Sequence, residues 1–244
     1  MTDTALPPPS TLEWLPADAH GQPPEQLILL LHGVGASAQG MAPLAQFFRQ
    51  NFPRAAIVAA DGFDPFDMAP VGRQWFSVQG VDEVNRVERV AAVLPRLSAW
   101  VKATQDRLRV GPAATALVGF SQGAILALEL VSQHDGLAGR VLAFAGRYAQ
   151  LPMHAPQATT LHLFHGEADA VIPVQHARTA IERLAARHGD ATLDIASGVG
   201  HEIAPALLRC ALQRLTTHIP HRTWAQALGA VPGLAGRDEQ DPAR

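Results

Sequence analysis

Short apolar runs recur along the chain, and segments with the spacing of amphipathic helices separate most of them. Such runs, when bounded by polar or glycine-rich segments, are typical of strands buried on both faces of a sheet. They lie at residues 26–31, 55–60, 114–119, 140–145, 160–165 and 192–196. Their alternation with helices predicts an α/β fold with a mostly parallel sheet of about seven strands and helices on both faces. Residues 11–15 would add an antiparallel edge strand.

Apolar positions with a helical period predict the helices between and after these strands. The predicted helices cover residues 41–51, 82–108, 122–133, 174–188 and 202–218. Pro95 lies inside the second of them. Because its ring removes a backbone donor and clashes with the preceding turn, we expect this helix to be kinked or divided there.

The length and composition of the chain suit one domain. Its 244 residues are 48% hydrophobic and 17% charged, which is enough to bury one full core. From residue 220 onwards the periodic pattern gives way to a segment rich in Gly, Pro and charge. We therefore expect a domain over residues 1–219 and a mobile tail over 220–244, in which Trp224 and Leu228 are candidates to dock a short helix. No segment between the predicted strands and helices is long enough to form a separate lid domain over the serine.

Charge and cysteine content exclude several classes of protein. The net charge is −3, and the basic residues are scattered along the chain, so nucleic acid is not an expected partner. Cys210 is the sole cysteine, which excludes an intrachain disulfide and is typical of a reducing cytoplasm. The N-terminus has no secretory pattern, and no apolar run is long enough for a membrane span.

The motif G-x-S-x-G occupies residues 119–123, between a predicted strand and a predicted helix. This is the context of a nucleophile elbow, where a serine sits on a strained turn. The flanking Gly119 and Gly123 leave room for the helix to double back on the strand. The motif predicts Ser121 as a nucleophile.

A serine nucleophile needs a base and an acid, and both occur after later strands in the order expected for this architecture. Asp169 follows the strand at 160–165, and His201 follows the strand at 192–196 beside a glycine. Glu167 competes with Asp169 for the role of the acid. The chain has 11 histidines, and His201 is favoured because it alone combines a loop after a strand with a late position.

The segment 31–36 follows an early strand and contains closely spaced glycines. In one interpretation, the N–H groups of Val34 and Gln122 form an oxyanion hole. In the alternative, Gly33-Val34-Gly35 begins a dinucleotide-binding fingerprint, with Asp61 as the ribose-binding acid of an oxidoreductase. The alternative leaves Ser121 and its partners unexplained.

No metal or cofactor is expected. The chain has no H-E-x-x-H motif, and His162 and His165, three apart on a strand, should face opposite sides of the sheet.

These residues together resemble the acyl-protein thioesterase and carboxylesterase family of small serine hydrolases, within the α/β-hydrolase fold. The resemblance runs from about residue 26 to residue 219 and is closest to bacterial cytoplasmic esterases. It implies a triad of Ser121, Asp169 and His201. It also implies an acyl pocket lined by Trp75 and Phe76, to which we add Ile203 as a candidate substrate contact. The chain departs from the family at Ser77, where Asp is common, and at Ala124, where Gly is common.

The expected function is hydrolysis of carboxylic esters or thioesters with short to medium acyl chains, through an acyl-enzyme. The expected partner is a small-molecule ester or thioester, and a homodimer is compatible with the sequence. An alternative function is that of a binding protein with the hydrolase fold but without catalysis. The intact set of Ser121, Asp169 and His201 argues against this alternative.

Overall fold

The computed structural model describes residues 7–16 and 22–229. The strands are β1 (Thr11–Trp14), β2 (Gln26–Leu31), β3 (Ala55–Ala60), β4 (Asp64–Pro65), β5 (Arg73–Gln74), β6 (Thr115–Phe120), β7 (Arg140–Phe144), β8 (Thr160–Gly166) and β9 (Ala191–Ala196). The α-helices are α1 (Ala42–Asn51), α2 (Glu83–Leu108), α3 (Gln122–Gln133), α4 (Gln175–Ala185), α5 (Pro205–Thr217) and α6 (His221–Gly229). Short 3₁₀ helices cover Ala38–Met41 and Pro112–Ala114.

The main sheet has seven strands in the order β1-β3-β2-β6-β7-β8-β9. Its strands are parallel except β1, which pairs antiparallel with β3. This confirms the predicted mostly parallel sheet and its antiparallel edge strand. Because the strands are parallel, the loops that follow them gather at one edge of the sheet, where ligands bind in open α/β folds.

Alternate side chains of each central strand enter two separate cores. In β2, Leu27 and Leu29 belong to the core beneath α2, α3 and α4, whereas Ile28 and Leu30 belong to the core beneath α1 and α5. Both faces of the sheet are therefore covered by helices, as the apolar runs predict.

Helix α2 runs without a break through Pro95, so the predicted division does not occur. Its residues Leu94 and Leu97 are fully buried, and their packing outweighs the backbone hydrogen bond that proline removes. Asp82 caps the helix by accepting hydrogen bonds from the N–H groups of Val84 and Asn85 at 2.9 and 2.7 Å.

The hairpin of β4 and β5 is not predicted by the sequence patterns. A short helix, considered for the predicted tail, is present as α6 in the first part of that segment. Arg222 anchors α6 to Thr160 and Gly139 at 3.0 and 3.4 Å, whereas Trp224 is 55% exposed and does not dock. The predicted tail from residue 230 onwards lies outside the described residues. No helix within residues 7–16 and 22–229 is long and apolar enough to cross a membrane.

Helix α3 crosses very close to the central strands, and glycines make the crossing possible. A Cβ atom on Gly123 would overlap the carbonyl oxygen of Leu31 in β2, and a Cβ on Gly119 would overlap the backbone of Gly123. These overlaps involve backbone atoms of the sheet and of α3, which cannot move aside as a flexible side chain would. The two glycines therefore set the position of α3 on the sheet.

We predict that Gly123→Ala destabilises the fold by about 3 kcal/mol or more, because the added methyl group forces α3 away from β2. Gly111→Ala is the matched control, since a Cβ there meets nothing within 4 Å and the backbone has φ −71°. The control should be neutral or stabilising by about 0.4–1 kcal/mol. Urea unfolding of both variants measures the difference. Equal stability of the two variants would contradict the role of the close crossing.

Candidate active site

Ser121 lies in the turn between β6 and α3, at the carboxyl edge of the sheet. Its backbone has φ 51° and ψ −113°, a conformation that non-glycine residues rarely adopt. Its N–H donates to the carbonyl of Phe144 in the neighbouring strand β7 at 2.9 Å. The turn is therefore held in its strained form by the sheet itself, as a nucleophile elbow requires.

The loops after β8 and β9 carry Asp169 and His201, and they pack against each other. The N–H of Ala168 donates to the carbonyl of Val199 at 2.9 Å. Gly166 allows this approach, since a Cβ there would overlap the backbone of the β9 loop.

The structure brings the three residues into one hydrogen-bonded chain. Nδ1 of His201 lies 2.7 Å from Oδ2 of Asp169, and Nε2 of His201 lies 2.9 Å from Oγ of Ser121. The carboxylate accepts from Nδ1–H, which leaves the lone pair of Nε2 directed at the serine hydroxyl. His201 is thus placed to take the proton of Ser121 as its oxygen attacks an electrophile.

The carboxylate of Asp169 is buried, and both of its oxygens accept hydrogen bonds. Its Oδ1 accepts from the N–H groups of Val171 and Ile172, each at 2.9 Å. Burial alone would raise the pKa of Asp169, but the hydrogen bonds from His201 and from these two amides hold it below its ordinary value. Asp169 is therefore ionised at neutral pH. Glu167, its competitor for the acid role, is exposed.

A second histidine lies beside this acid. Nε2 of His165 is 3.3 Å from Oδ2 of Asp169, but it is only 2.7 Å from the carbonyl of Ile172, to which it donates. His165 is buried, so it fixes the loop that carries Asp169 rather than facing a substrate.

The N–H groups of Val34 and Gln122 are free to bind an oxyanion. Both residues line the same cavity as Ser121, and within the described part of the chain neither N–H donates to another group. Gln122 is also the first residue of α3, so the positive end of the helix dipole lies at the site where negative charge would develop.

The side chain of Gln122 binds the backbone of a distant segment, a contact that the G-x-S-x-G motif does not predict. Its Oε1 accepts from the N–H of Trp75 at 2.9 Å, and its Nε2 donates to the carbonyl of Phe76 at 2.7 Å. These two hydrogen bonds attach the segment that precedes α2 directly to the elbow. The spacing of the motif gives no signal for this contact, because the partners lie more than 40 residues away in the chain.

His32 organises the loop that carries Val34. Its Nδ1 donates to the carbonyl of Gly33 at 2.6 Å, and its Nε2 accepts from the N–H of Gly62 at 2.7 Å. Burial lowers the pKa of His32 despite the bond to Gly33, so the ring is neutral, as its two hydrogen bonds require. His32 therefore joins the loop that carries Val34 to the segment after β3.

The same loop does not form a dinucleotide site. The N–H of Gly35 donates to the carbonyl of Arg73 at 2.8 Å, and the carbonyl of Ala36 accepts from the N–H of Arg73 at 2.7 Å. Asp61, the predicted ribose acid, instead accepts from the N–H of Ala38 at 2.7 Å. The N–H of Gly35 and the carboxylate of Asp61, which the dinucleotide alternative would need, are therefore already used within the chain, and this disfavours that alternative.

A cavity of about 190 Å³ opens beside Ser121. Its walls are mostly apolar, with two arginines and a histidine among them. Besides Ser121 and the oxyanion donors, it is lined by Phe76, Val78, Val81, Arg86, Ile125, Arg147, Val171, Ile172 and His176. Phe76, predicted to line an acyl pocket, is one of these wall residues.

Trp75 and Ile203, the other predicted substrate contacts, do not line this cavity. Trp75 is only 1% exposed. It packs behind the site between the rings of His32 and Phe63, at centroid distances of 5.4 and 5.3 Å, and donates from Nε1 to the carbonyl of His32 at 3.0 Å. Ile203 packs against the core beneath α1 and α5.

Within residues 7–16 and 22–229, no group of three or more His, Cys, Asp or Glu side chains is arranged to hold a metal ion. The arrangement of Ser121, His201 and Asp169 supplies a nucleophile, a base and a fixed carboxylate from the chain's own residues.

Comparisons with known proteins agree with this geometry. The chain is 46% identical over 213 residues to the esterase YpfH of Escherichia coli K12, covering 87% of this chain and 91% of that protein. It is 28% identical to acyl-protein thioesterase 1 of Eremothecium gossypii, covering 80% of this chain and 88% of that protein. The crystal structure of esterase PE8 superimposes with a TM-score of 0.75 at 28% identity, over 85% of this chain and 97% of that one.

The family model described as phospholipase/carboxylesterase matches residues 17–219. This span contains the whole main sheet except β1, together with Ser121, Asp169 and His201. The chain therefore belongs to the phospholipase/carboxylesterase family of ester hydrolases, with the α/β-hydrolase fold.

Proposed function

We propose that this enzyme cleaves carboxylic esters or thioesters of short to medium acyl chains through an acyl-enzyme on Ser121. The observation that carries the proposal is the hydrogen-bonded chain from Ser121 through His201 to Asp169, beside a cavity with two free N–H donors. His201 acts as the base, and Asp169 holds its tautomer and stabilises the imidazolium.

The reaction follows from these positions. Oγ of Ser121 attacks the carbonyl carbon while Nε2 of His201 takes the hydroxyl proton. The carbonyl oxygen becomes an oxyanion, held by the N–H groups of Val34 and Gln122. When the tetrahedral intermediate collapses, the bond to the alcohol or thiol breaks, and His201 returns the proton to that leaving group. A water molecule, deprotonated by His201, then attacks the acyl-enzyme and releases the carboxylic acid and Ser121.

The cavity sets the length of the acyl chain. A volume of about 190 Å³ is a little larger than the roughly 150 Å³ that holds one benzene molecule. Short and medium chains fill it. Relatives named as an esterase and as a thioesterase support both an oxygen and a sulfur leaving group.

We infer that the enzyme works in the cytoplasm, which its single cysteine supports, on a small-molecule substrate and without nucleic acid. Assembly into a homodimer stays a prediction, and sedimentation analysis tests it.

We predict that Ser121→Ala lowers kcat by about six orders of magnitude, because the covalent nucleophile is lost, while thermal stability changes little. A fluorophosphonate probe followed by peptide mapping should label the wild type once, at Ser121. Labelling at another residue, or normal turnover by the variant, would contradict the assignment and favour a binding protein or another nucleophile.

We predict that Asp169→Asn lowers kcat by about 10,000-fold, because an amide cannot hold the Nδ1–H tautomer of His201. Glu167→Gln is the matched control, since this exposed side chain is two residues away in the same loop and should keep nearly full activity. Steady-state hydrolysis of p-nitrophenyl butyrate compares them. The opposite ranking would make Glu167 the acid.

We predict that kcat/KM for neutral p-nitrophenyl esters rises over short acyl chains and then falls for long ones. Each buried methylene contributes about 0.8 kcal/mol only while it stays within the cavity. The chain-length series is measured below the micelle concentration of each ester. Improvement that continues to palmitate, or a jump in rate at a lipid interface, would show that a longer pocket or a lid forms.

A further inference from the structure

Two positively charged side chains line the cavity beside Ser121, and no carboxylate of residues 7–16 or 22–229 lines it. Arg86 and Arg147 are among its wall residues, and their side chains are only 16% and 14% exposed. Removing guanidinium groups from water costs free energy unless anions compensate them. The wall of this cavity therefore carries charge of one sign beside its apolar side chains.

The sole acidic partner of these arginines among the described residues is Glu83, and it does not neutralise both. Arg147 binds it through both terminal nitrogens, at 3.0 and 2.6 Å, and Arg86 binds it through Nη1 at 2.7 Å. The hydrogen bonds from Arg147 and Arg86 lower the pKa of Glu83 to about 2, so it is ionised. Two positive charges against one negative charge leave an excess of one positive charge at the cavity.

Arg86, rather than Arg147, is able to bind a further anion with this excess positive charge. All three nitrogens of Arg147 have partners, since Nε donates to the carbonyl of Tyr148 at 3.1 Å and both others bind Glu83. Arg86 uses only Nη1, and its Nε and Nη2 bind nothing else in the described chain. These two nitrogens form one edge of the guanidinium, the geometry that binds a carboxylate through two parallel hydrogen bonds.

His176, the remaining ionisable group in the wall, does not add to the charge. Burial, together with the neighbouring Arg147, lowers the pKa of His176, so it is neutral at physiological pH.

The cavity receives the acyl part of the substrate. His201 must protonate the leaving alcohol or thiol, so the leaving group lies on the side of His201. His201 is not among the residues that line the cavity, whereas Val34 and Gln122, which would hold the carbonyl oxygen, are. An acyl chain therefore extends from Ser121 along the apolar wall toward Arg86.

We propose that Arg86 determines specificity by binding a carboxylate at the far end of a short acyl chain, so that the preferred substrates are monoesters or monothioesters of short dicarboxylic acids. This inference rests on the proposed ester hydrolysis at Ser121. The substrate carboxylate would supply the second negative charge that the two arginines lack.

The test compares two substrates of the same shape and different charge. Monoethyl glutarate carries a carboxylate at the end of its acyl chain, and ethyl glutaramate carries a neutral amide there. We expect the wild type to show at least a tenfold higher kcat/KM for the anionic ester, mostly through a lower KM, since a hydrogen-bonded ion pair contributes this much. Product formation is followed by NMR, which needs no chromophore.

Variants assign the preference to Arg86. Arg86→Gln should reduce the ratio of the two kcat/KM values about ten- to a hundredfold, and Arg86→Lys should keep part of it because the charge remains. Arg49→Gln is the matched control, since Arg49 is exposed on α1, and it should keep the wild-type ratio. A ratio near one in the wild type, or an equal loss in Arg49→Gln, would overturn the inference.

One further substrate locates the negative charge, and another separates the two proposals. Acetyl glycolate carries its carboxylate on the alcohol side of the ester, and ethyl acetate is its neutral counterpart. If the kcat/KM ratio of this pair exceeds the ratio of monoethyl glutarate to ethyl glutaramate, the assignment of the carboxylate to the acyl side is overturned. If p-nitrophenyl butyrate is hydrolysed in a way that depends on Ser121 but the glutarate ratio is near one, only this inference fails. If no ester is hydrolysed, the proposed function itself fails.

Discussion

The contact between helix α3 and strand β2 is the constraint on which the site depends. Gly123 has no room for a side chain above Leu31, and Gly119 has none beneath Gly123. With the helix this close to the sheet, the connecting residue cannot take an ordinary backbone conformation, and Ser121 is held at φ 51°. Strain at one residue is offset by burial along the whole of α3. The result is a hydroxyl at the carboxyl edge of the sheet, next to the free N–H groups of a helix start.

The loop after β2 and the segment before α2 are held in place by side-chain hydrogen bonds in addition to the sheet. Gln122 holds the backbone of Trp75 and Phe76, and His32 joins the oxyanion loop to Gly62. Trp75 fills the space between these attachments. The hydrogen bonds of Gln122 therefore hold the cavity wall at Phe76 directly to the turn that carries Ser121. Such preorganisation is what makes fixed donors effective toward a developing charge.

The sequence predicts those features that depend on local pattern. Buried strands are continuous apolar runs, and the triad residues each follow a strand, so their meeting at one edge follows from a parallel sheet. Features that depend on distant packing were not predictable. Trp75 and Phe76 form an apolar pair in the chain, and only the tertiary contact with His32 decides which of them is buried behind the site. Likewise, the attachment of α6 through Arg222 to Thr160 is a contact without a local signal.

The residues beside Ser121 that we propose for catalysis and many of the residues that line the cavity lie in different segments of the chain. The groups that we propose act on the ester bond follow β2, β6, β8 and β9, which the sheet fixes relative to one another. Much of the cavity wall comes instead from the β5–α2 connection, from α2 and from the loop after β7, and the side chain of Gln122 joins the first of these to the elbow. Substitutions in those outer segments can change the charge of the cavity without disturbing Ser121. One catalytic arrangement can therefore be combined with cavities of different charge, and the proposed role of Arg86 is one such case.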